Sequence, residues 1–431
     1  MKINQLALQN FRCFDEYKLK LGDRFTLLIG DNGSGKTAIL DALAIAAGAF
    51  LLGVPDILAS DKRHISRDDV RYEELTMGQT AIKETAGLAN VVVFAKGIVN
   101  QKEIKWARHK DIKTSRQYAK ELTNLVKKLT DEKISQNTLF PVITHYSTGR
   151  LWKQLNATEK KTKSPSSRFE GYQDCLNPAS DQKRFFSWFK TQELAALQKN
   201  ERRHVLEAVR EAIISMIPDA KHVWWDIDWD ELRIQTVIQD KTQTIPFHLL
   251  SDGYRNMIGM VADIAYRMAT LNPQLETNVI KRTEGIVLID EIDLHLHPKW
   301  QGVVVERLLN TFPKVQFVAS SHSPFIIQSL YHRKDCLLWD LEKNQALEIT
   351  SKSIEDIAED QQGVEIPQQS RRFLEMEKVA ENYYLVLKQI PPASDNEKQI
   401  LKQRLDELLL PFSDDPAFQA FLKMERLAAG A

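Results

Sequence analysis

An α/β fold, with a sheet carrying a phosphate-binding loop, is predicted by three observations. Residues Gly30, Asp31, Asn32, Gly33, Ser34, Gly35, Lys36 and Thr37 spell G-x-x-x-x-G-K-[ST] between an apolar run, Phe25–Ile29, and a helix-forming stretch beginning at Thr37. A second apolar run, Ile286 to Ile289, ends in the carboxylates Asp290 and Glu291. Around it, a helix at 251–270, a strand at 285–289, a helix at 298–311 and a strand at 315–319 alternate, as a sheet covered by helices requires.

In chain order, short strands are expected at 2–8, 17–21 and 25–29. The helix after the loop runs into the longest apolar stretch, the 13 residues 42–54, which is too short to span a membrane and reads as a buried core helix. Residues 60–139 read as a charged insertion with a strand at 90–95 and a helix at 115–129. Tyr118, Leu122, Leu125 and Leu129 fall on one face of that helix. A core strand is expected at 140–146. The stretch 156–178, rich in Lys, Ser, Thr and Gly, reads as a mobile basic loop. Residues 181–217 are expected to be largely helical, and 223–238 to form a hairpin carrying Trp224, Trp225 and Trp229.

Beyond Asp340 the chain is net acidic and mostly helical, broken at Pro391 and Pro392. Phe373, Met376, Tyr383 and Leu387 form one stripe, and Leu401, Leu405 and Leu408 another; such stripes pack on the chain's own core or on a partner protein. The expected organisation is therefore 1–59, the first part of the phosphate-binding domain; 60–139, the insertion; 140–340, the rest of that domain; and 341–431, a helical C-terminal region.

Lys plus Arg and Asp plus Glu both number 58, so overall charge names no partner. Its distribution is uneven: 96–168 holds 17 basic and 6 acidic side chains. A patch of this kind fits either a solvated face or a nucleic-acid contact. Cys13, Cys175 and Cys336 lack metal-ligand or C-x-x-C spacing and read as structural thiols in a reducing compartment. The N-terminus has no signal-peptide pattern, so a cytoplasmic protein without a membrane partner is expected.

The loop's chemistry accounts for its spelling. Glycines let backbone N–H groups curl around phosphates, Lys36 reaches the β and γ oxygens, and the Thr37 hydroxyl holds Mg²⁺, with the following helix presenting its positive end. Asp290 and Glu291 form the second half of an ATP site, a Walker B sequence. Asp290 would hold Mg²⁺ and Glu291 would polarise the attacking water. His295 and His297 precede a helix-starting proline and read as structural capping, not a metal pair. Asp226, Asp228 and Asp230 alternate as a strand would and read as a solvated face.

Several further motifs carry a family resemblance. Leu249 to Arg255, with Ser251, Gly253 and a following helix, resembles the signature sequence of ABC-type ATPases, although Asp252 and Tyr254 depart from its commonest wording. Asp293 falls where that superfamily has its D-loop, and His322, after the apolar run at 317–319, resembles its switch histidine. The order of motifs resembles the SMC, Rad50 and RecF branch. The opening, Asn10, Phe11, Arg12 and Phe14, is similar to RecF-like and OLD-like proteins. The fold this implies is a P-loop ABC-type sheet with a helical signature lobe, a charged insertion and a helical tail.

The resemblance implies a head-to-tail homodimer, or a higher oligomer, in which Ser251 and Gly253 of one copy close over the γ-phosphate held by the other. It also implies that His322 bonds the γ-phosphate and that Arg12 approaches the phosphates. The usual Q-loop glutamine has no clear place: the turn Tyr146 to Arg150 occupies its region, with Gln136 and Gln154 as candidates. No long coiled-coil arm is present, and no Asp-x-Asp of a TOPRIM nuclease follows His322. The layout looks most like compact PtuA-type ATPases of Septu-like and retron-associated antiphage operons, where an HNH-type nuclease is a separate subunit. The alternative is a RecF-like repair ATPase binding DNA through 96–168. Under the defence reading the same segment would meet phage DNA or a retron DNA–RNA product.

Overall fold

The computed structural model describes residues 1–77, 80–84, 90–110, 115–151, 167–177, 182–217, 219–238, 241–331, 333–349, 353–362, 378–380, 382–383, 385–386 and 394–409. Its elements run β1 (Lys2–Phe11), β2 (Phe14–Lys20), β3 (Phe25–Ile29), α1 (Lys36–Leu51), β4 (Glu73–Met77), β5 (Thr80–Glu84), β6 (Val91–Val99), β7 (Lys102–Lys110), β8 (Ser115–Tyr118), α2 (Lys120–Leu129), α3 (Glu132–Ser135) and β9 (Val142–Tyr146). They continue with α4 (Gln182–Lys199), α5 (His204–Met216), β10 (Ala220–Asp226), β11 (Glu231–Ile238), β12 (Lys241–Pro246), α6 (Asp252–Leu271), α7 (Val279–Arg282), β13 (Gly285–Ile289), α8 (Pro298–Thr311), β14 (Val315–Ser320), α9 (Pro324–Ser329), β15 (Cys336–Asp340), β16 (Gln345–Leu347), α10 (Ile354–Gln362) and α11 (Asp395–Leu409).

The chain divides into two compact units, 1–351 and 352–431. Within the first, a six-stranded sheet of order β16-β15-β3-β14-β13-β9 is parallel from β15 to β9, with β16 antiparallel at its edge. The parallel strands β3, β9, β13 and β14 are buried along their whole length and mostly apolar, because both faces are covered. An antiparallel sheet, β2-β1-β6-β7-β8, lies across α1. Helix α1 touches β9, β13 and β14 of one sheet and β1, β6 and β7 of the other, which is why it is apolar all round. Buried Gln316 stitches the β1 end to the parallel sheet: it accepts from the Ile3 N–H at 2.9 Å and donates to the carbonyls of Ile3 and Gly22, both at 2.8 Å.

Residues 90–110, expected inside a separate insertion, are strands of the sheet that β1 begins, with Leu6 opposite Ala95 and Ala95 opposite Trp106. The expected helix 115–129 is instead a short edge strand, β8, followed by α2; Tyr118 is exposed on the strand, while Leu122 and Val126 are buried on the helix. Residues 167–177 are not a mobile loop. Arg168 donates to the carbonyls of Ser135, Thr138 and Leu271 and lies 4.6 Å from the Phe140 ring centroid, and Tyr172 is buried. The helical stretch 181–217 breaks at 200–203 into α4 and α5, and the hairpin gains a third strand, β12. Asp226 to Asp230 form the turn of that hairpin: the Asp226 carboxylate accepts the N–H groups of Asp228 (3.1 Å) and Trp229 (3.3 Å).

In the second unit Tyr383, Leu405 and Leu408 are buried and Leu401 is half-buried. Phe373, Met376, Leu387, Pro391 and Pro392 lie outside the described residues, as do Gln154 and 156–166. Among the described residues, no helix is long and apolar enough to cross a membrane.

Candidate functional site

Parallel strands deliver their C-terminal ends to one edge of the sheet, and there the motif residues meet. The loop after β3 carries positive φ at Gly30 (143°), Gly33 (89°) and Gly35 (96°), a backbone that only glycine adopts without strain. A Cβ on Gly35 would sit 2.5 Å from the Phe14 ring, so the opening motif packs directly under the loop. Lys36 folds back, donating from Nζ to the carbonyls of Gly30 (2.7 Å) and Asp31 (2.8 Å). Burial lowers its pKa more than Asp290, Asp31, Glu291 and Glu342 raise it, so four carboxylates surround one half-desolvated ammonium.

Across the edge, the Thr37 hydroxyl donates to Asp290 Oδ2 at 2.8 Å. Ser320, the last residue of β14, donates to Asp290 Oδ1 at 2.6 Å and accepts the Glu291 N–H at 2.8 Å. Ser321 in turn donates to Asp293 Oδ1 at 2.5 Å. The two serines before exposed His322 therefore tie the end of β14 to the carboxylates after β13. Sequence reasoning missed them; their signal was a pair of hydroxyls closing an otherwise apolar strand. Glu291 sits at φ 48°, a left-handed backbone that turns it off the strand beyond Asp290.

The Asp290 N–H donates to the Tyr146 carbonyl at 2.8 Å, so the turn after β9 stands level with Asp290. Ser147 opens that turn, its hydroxyl accepting the Gly149 N–H at 3.2 Å; Gln136 lies on an exposed turn before β9.

Ser251 is the exposed N-cap residue of α6, as expected of a helix start, but its side chain makes no cap bond. Gly253 packs against the backbone of the segment after Asp293: a Cβ there would collide with the His295 carbonyl. Asn256 donates to the Leu294 carbonyl at 3.3 Å. Gly253 and Asn256 thus fix the start of α6 to the segment after Asp293. His297 caps α8, its Nδ1 accepting the Lys299 N–H at 3.2 Å.

Arg12 lies in a carboxylate network, next to Cys13 and Phe14, which pack against Gly35 of the loop. It pairs with Asp41 of α1 at 2.7 Å and with Asp69 at 2.8 Å, and Arg63 pairs with Asp69 at 2.9 Å. In this structure the Arg12 guanidinium is held by both carboxylates, one of them on the helix that follows the phosphate loop.

The residues fit a triphosphate and a hard divalent cation. Ser34 Oγ is buried at the loop and makes no hydrogen bond within the protein, leaving a donor for a phosphate oxygen. Thr37 and Asp290 offer adjacent hard oxygens, the donor type Mg²⁺ takes when phosphates and water complete its shell. Among the described residues no group of three or more His, Cys, Asp or Glu could hold a metal by itself.

An AAA domain family matches residues 5–221, half of the chain. The chain belongs to the AAA domain family. This AAA domain protein is 27% identical over 378 residues to the "Retron Vc95 probable ATPase" of Vibrio cholerae serotype O1 biovar El Tor, covering 77% of this chain and 72% of the relative. It is 22% identical over 339 residues to the "Septu protein PtuA" of Bacillus thuringiensis, covering 76% and 73%. Among solved structures, the SMC head domain from Thermotoga maritima aligns with 14% identity and a TM-score of 0.43, over 79% of this chain and 94% of that one. The AAA domain protein is an ATPase.

Proposed function

We propose that this protein is an ATP-gated subunit of an antiphage defence complex, controlling a separate HNH-type nuclease. The observation that carries the ATP-gating part is the Thr37–Asp290 hydrogen bond, which joins the phosphate loop to the Walker B strand. Thr37 and Asp290 would hold Mg²⁺, which when bound neutralises phosphate charge. Gly30 to Lys36 bind and orient the phosphates. Glu291 orients the attacking water and takes its proton, and His322 contacts the γ-phosphate end. Ser320 holds Asp290 and the Glu291 backbone in register for this task.

Each site is completed by a second copy in a head-to-tail dimer. Fixing Gly253 and Asn256 to the D-loop region of their own chain makes signature helix and D-loop move together, so closure on a neighbouring copy's nucleotide is felt at both. The defence setting is supported by the likeness to the retron and Septu proteins, and the helical region beyond residue 351 is the docking candidate for the nuclease. Purification of the tagged chain from its native locus in low salt tests this. A stoichiometric small nuclease supports the proposal; repair factors, or DNA alone, move the assignment to the RecF-like reading.

Direct nucleic-acid binding is a second reading with a narrower basis than the sequence implied. Arg108 is buried and bonded to His64 Nδ1 at 2.9 Å, burial bringing its pKa to about 10, and Arg168 is held by carbonyls. The exposed cations described in 96–168 are Lys102, Lys105, Lys120, Lys127 and Lys128. Binding through them falls steeply with salt.

A further inference from the structure

The Gly30–Asp31 peptide is gripped at both ends. Its carbonyl accepts from Lys36 Nζ at 2.7 Å, and its N–H donates to Glu342 Oε1 at 2.6 Å. Glu342 lies 311 residues further along the chain, and its place is set by the parallel sheet. Strand β15 runs beside β3 with Asp340 opposite Ile29, and the Leu341 N–H continues the ladder to the Ile29 carbonyl at 3.0 Å. One position later the strand partner ends, and the Glu342 side chain supplies the acceptor that the ladder would have supplied.

The side chain is presented by a built turn. Buried Asp340 accepts the N–H groups of Glu342 (2.9 Å) and Lys343 (3.1 Å) and pairs with the Lys343 ammonium at 3.6 Å. Gly30 adopts φ 143°, so the peptide's orientation is one that most residues would resist and that needs to be held from outside. A carboxylate–amide bond is of the stronger, charge-assisted kind.

We propose that Glu342 is a positioning residue for nucleotide binding, holding the mouth of the phosphate loop in its curled form. Lys36 and Glu342 share this work while Lys36 rests on the loop carbonyls. Phosphates that draw Lys36 away remove one grip, and the Glu342 grip then keeps the Gly30–Asp31 peptide from rotating. The carboxylate also adds negative charge near Lys36, which opposes an incoming triphosphate. Acceptor geometry and charge therefore act in opposite directions, and variants separate them.

This inference rests on the phosphate loop being the nucleotide site, and Lys36→Ala in the same assay tests that assumption separately. Titration of the full-length protein with a fluorescent ATP analogue and Mg²⁺ is read alongside steady-state hydrolysis and amide hydrogen exchange at Asp31 without nucleotide. Glu342→Ala should weaken binding about five-fold, raise KM more than it lowers kcat and speed exchange at Asp31, a loss expected from one charge-assisted bond. Glu342→Gln keeps an acceptor oxygen and loses the charge, so it should bind at least as tightly as the parent. Asp340→Ala should resemble Glu342→Ala. Parent-like binding and exchange in Glu342→Ala would overturn the proposal, as would Glu342→Gln being as defective as Glu342→Ala. Unchanged binding in Lys36→Ala would overturn the site assignment instead.

Discussion

Thr37 and Asp290 are 2.8 Å apart, hydroxyl to carboxylate, although β14 lies between the strands that deliver them. The phosphate loop and the strand ending in Asp290 are thus joined by a direct hydrogen bond, and Glu291 stands one residue beyond the joint. Glu291→Gln keeps the side chain's size and removes the base. Hydrolysis is expected to fall at least about 100-fold while ATP remains bound and the dimer stays closed. Turnover assays with nucleotide-retention measurements check this; normal turnover refutes the assigned base.

Gly253 carries a structural duty that a signature motif alone does not require. Its Cα lies against the His295 carbonyl, and Gly253→Ala should cost about 2 kcal/mol through overpacking against rigid backbone. Thermal unfolding of Gly253→Ala beside Ser251→Ala separates packing from function. The serine is exposed at a helix start, so its loss should leave the melting temperature nearly unchanged.

Asp69 anchors the segment after the short helical turn Ala59–Lys62 to Arg12 and Arg63. Burial alone would raise its pKa, but the hydrogen bonds and charge of Arg63, with the Ser66 N–H and hydroxyl, bring it down to about 2. A carboxylate depressed in the folded state contributes stability above its unfolded pKa and loses it as pH falls towards the folded value. About 2 kcal/mol should therefore disappear between about pH 4 and pH 2. Asp69→Asn should flatten that part of the stability profile measured by denaturant unfolding; an unchanged profile would contradict the network.

His145 is buried between α1 and the parallel sheet with neither ring nitrogen hydrogen-bonded. Burial lowers its pKa, outweighing the attraction of Asp41 and Asp290, so the folded imidazole stays neutral. The unfolded chain takes up that proton below about pH 6.5, and stability falls as pH drops through this range. His145→Phe should remove the dependence between about pH 6.5 and 5 at little cost at pH 7, because no bond is lost. A large loss at pH 7 would show that the imidazole has a partner.

What the sequence made legible was local. The phosphate loop, the strand ending in Asp290 and Glu291, and the helix at 298–311 each combine a turn or cap signal with an apolar run, and local signals survive folding. Three-dimensional pairing was not legible. Ser115 to Tyr118 read as helix because a four-residue edge strand has too few positions to show alternation, and it forms only by pairing with β7. Strand β12 exposes most of its side chains and is held by backbone bonds to β11, so no apolar pattern marks it. Strands β6 and β7 looked like an insertion because their partner, β1, is about ninety residues earlier. Ser320 and Glu342 acquire their roles only where the sheet sets strand ends side by side.

The central claim is that two copies share each ATP site, and mixing two inactive variants tests it most directly. Lys36→Ala cannot hold nucleotide in its own loop, and Ser251→Arg cannot close over its neighbour's. In a head-to-tail heterodimer both lesions fall in one site and the other site is intact. Hydrolysis by an equimolar mixture should therefore recover to about a quarter of the parent rate, since half the dimers carry one working site of two. A mixture no more active than the two variants measured separately would contradict the account.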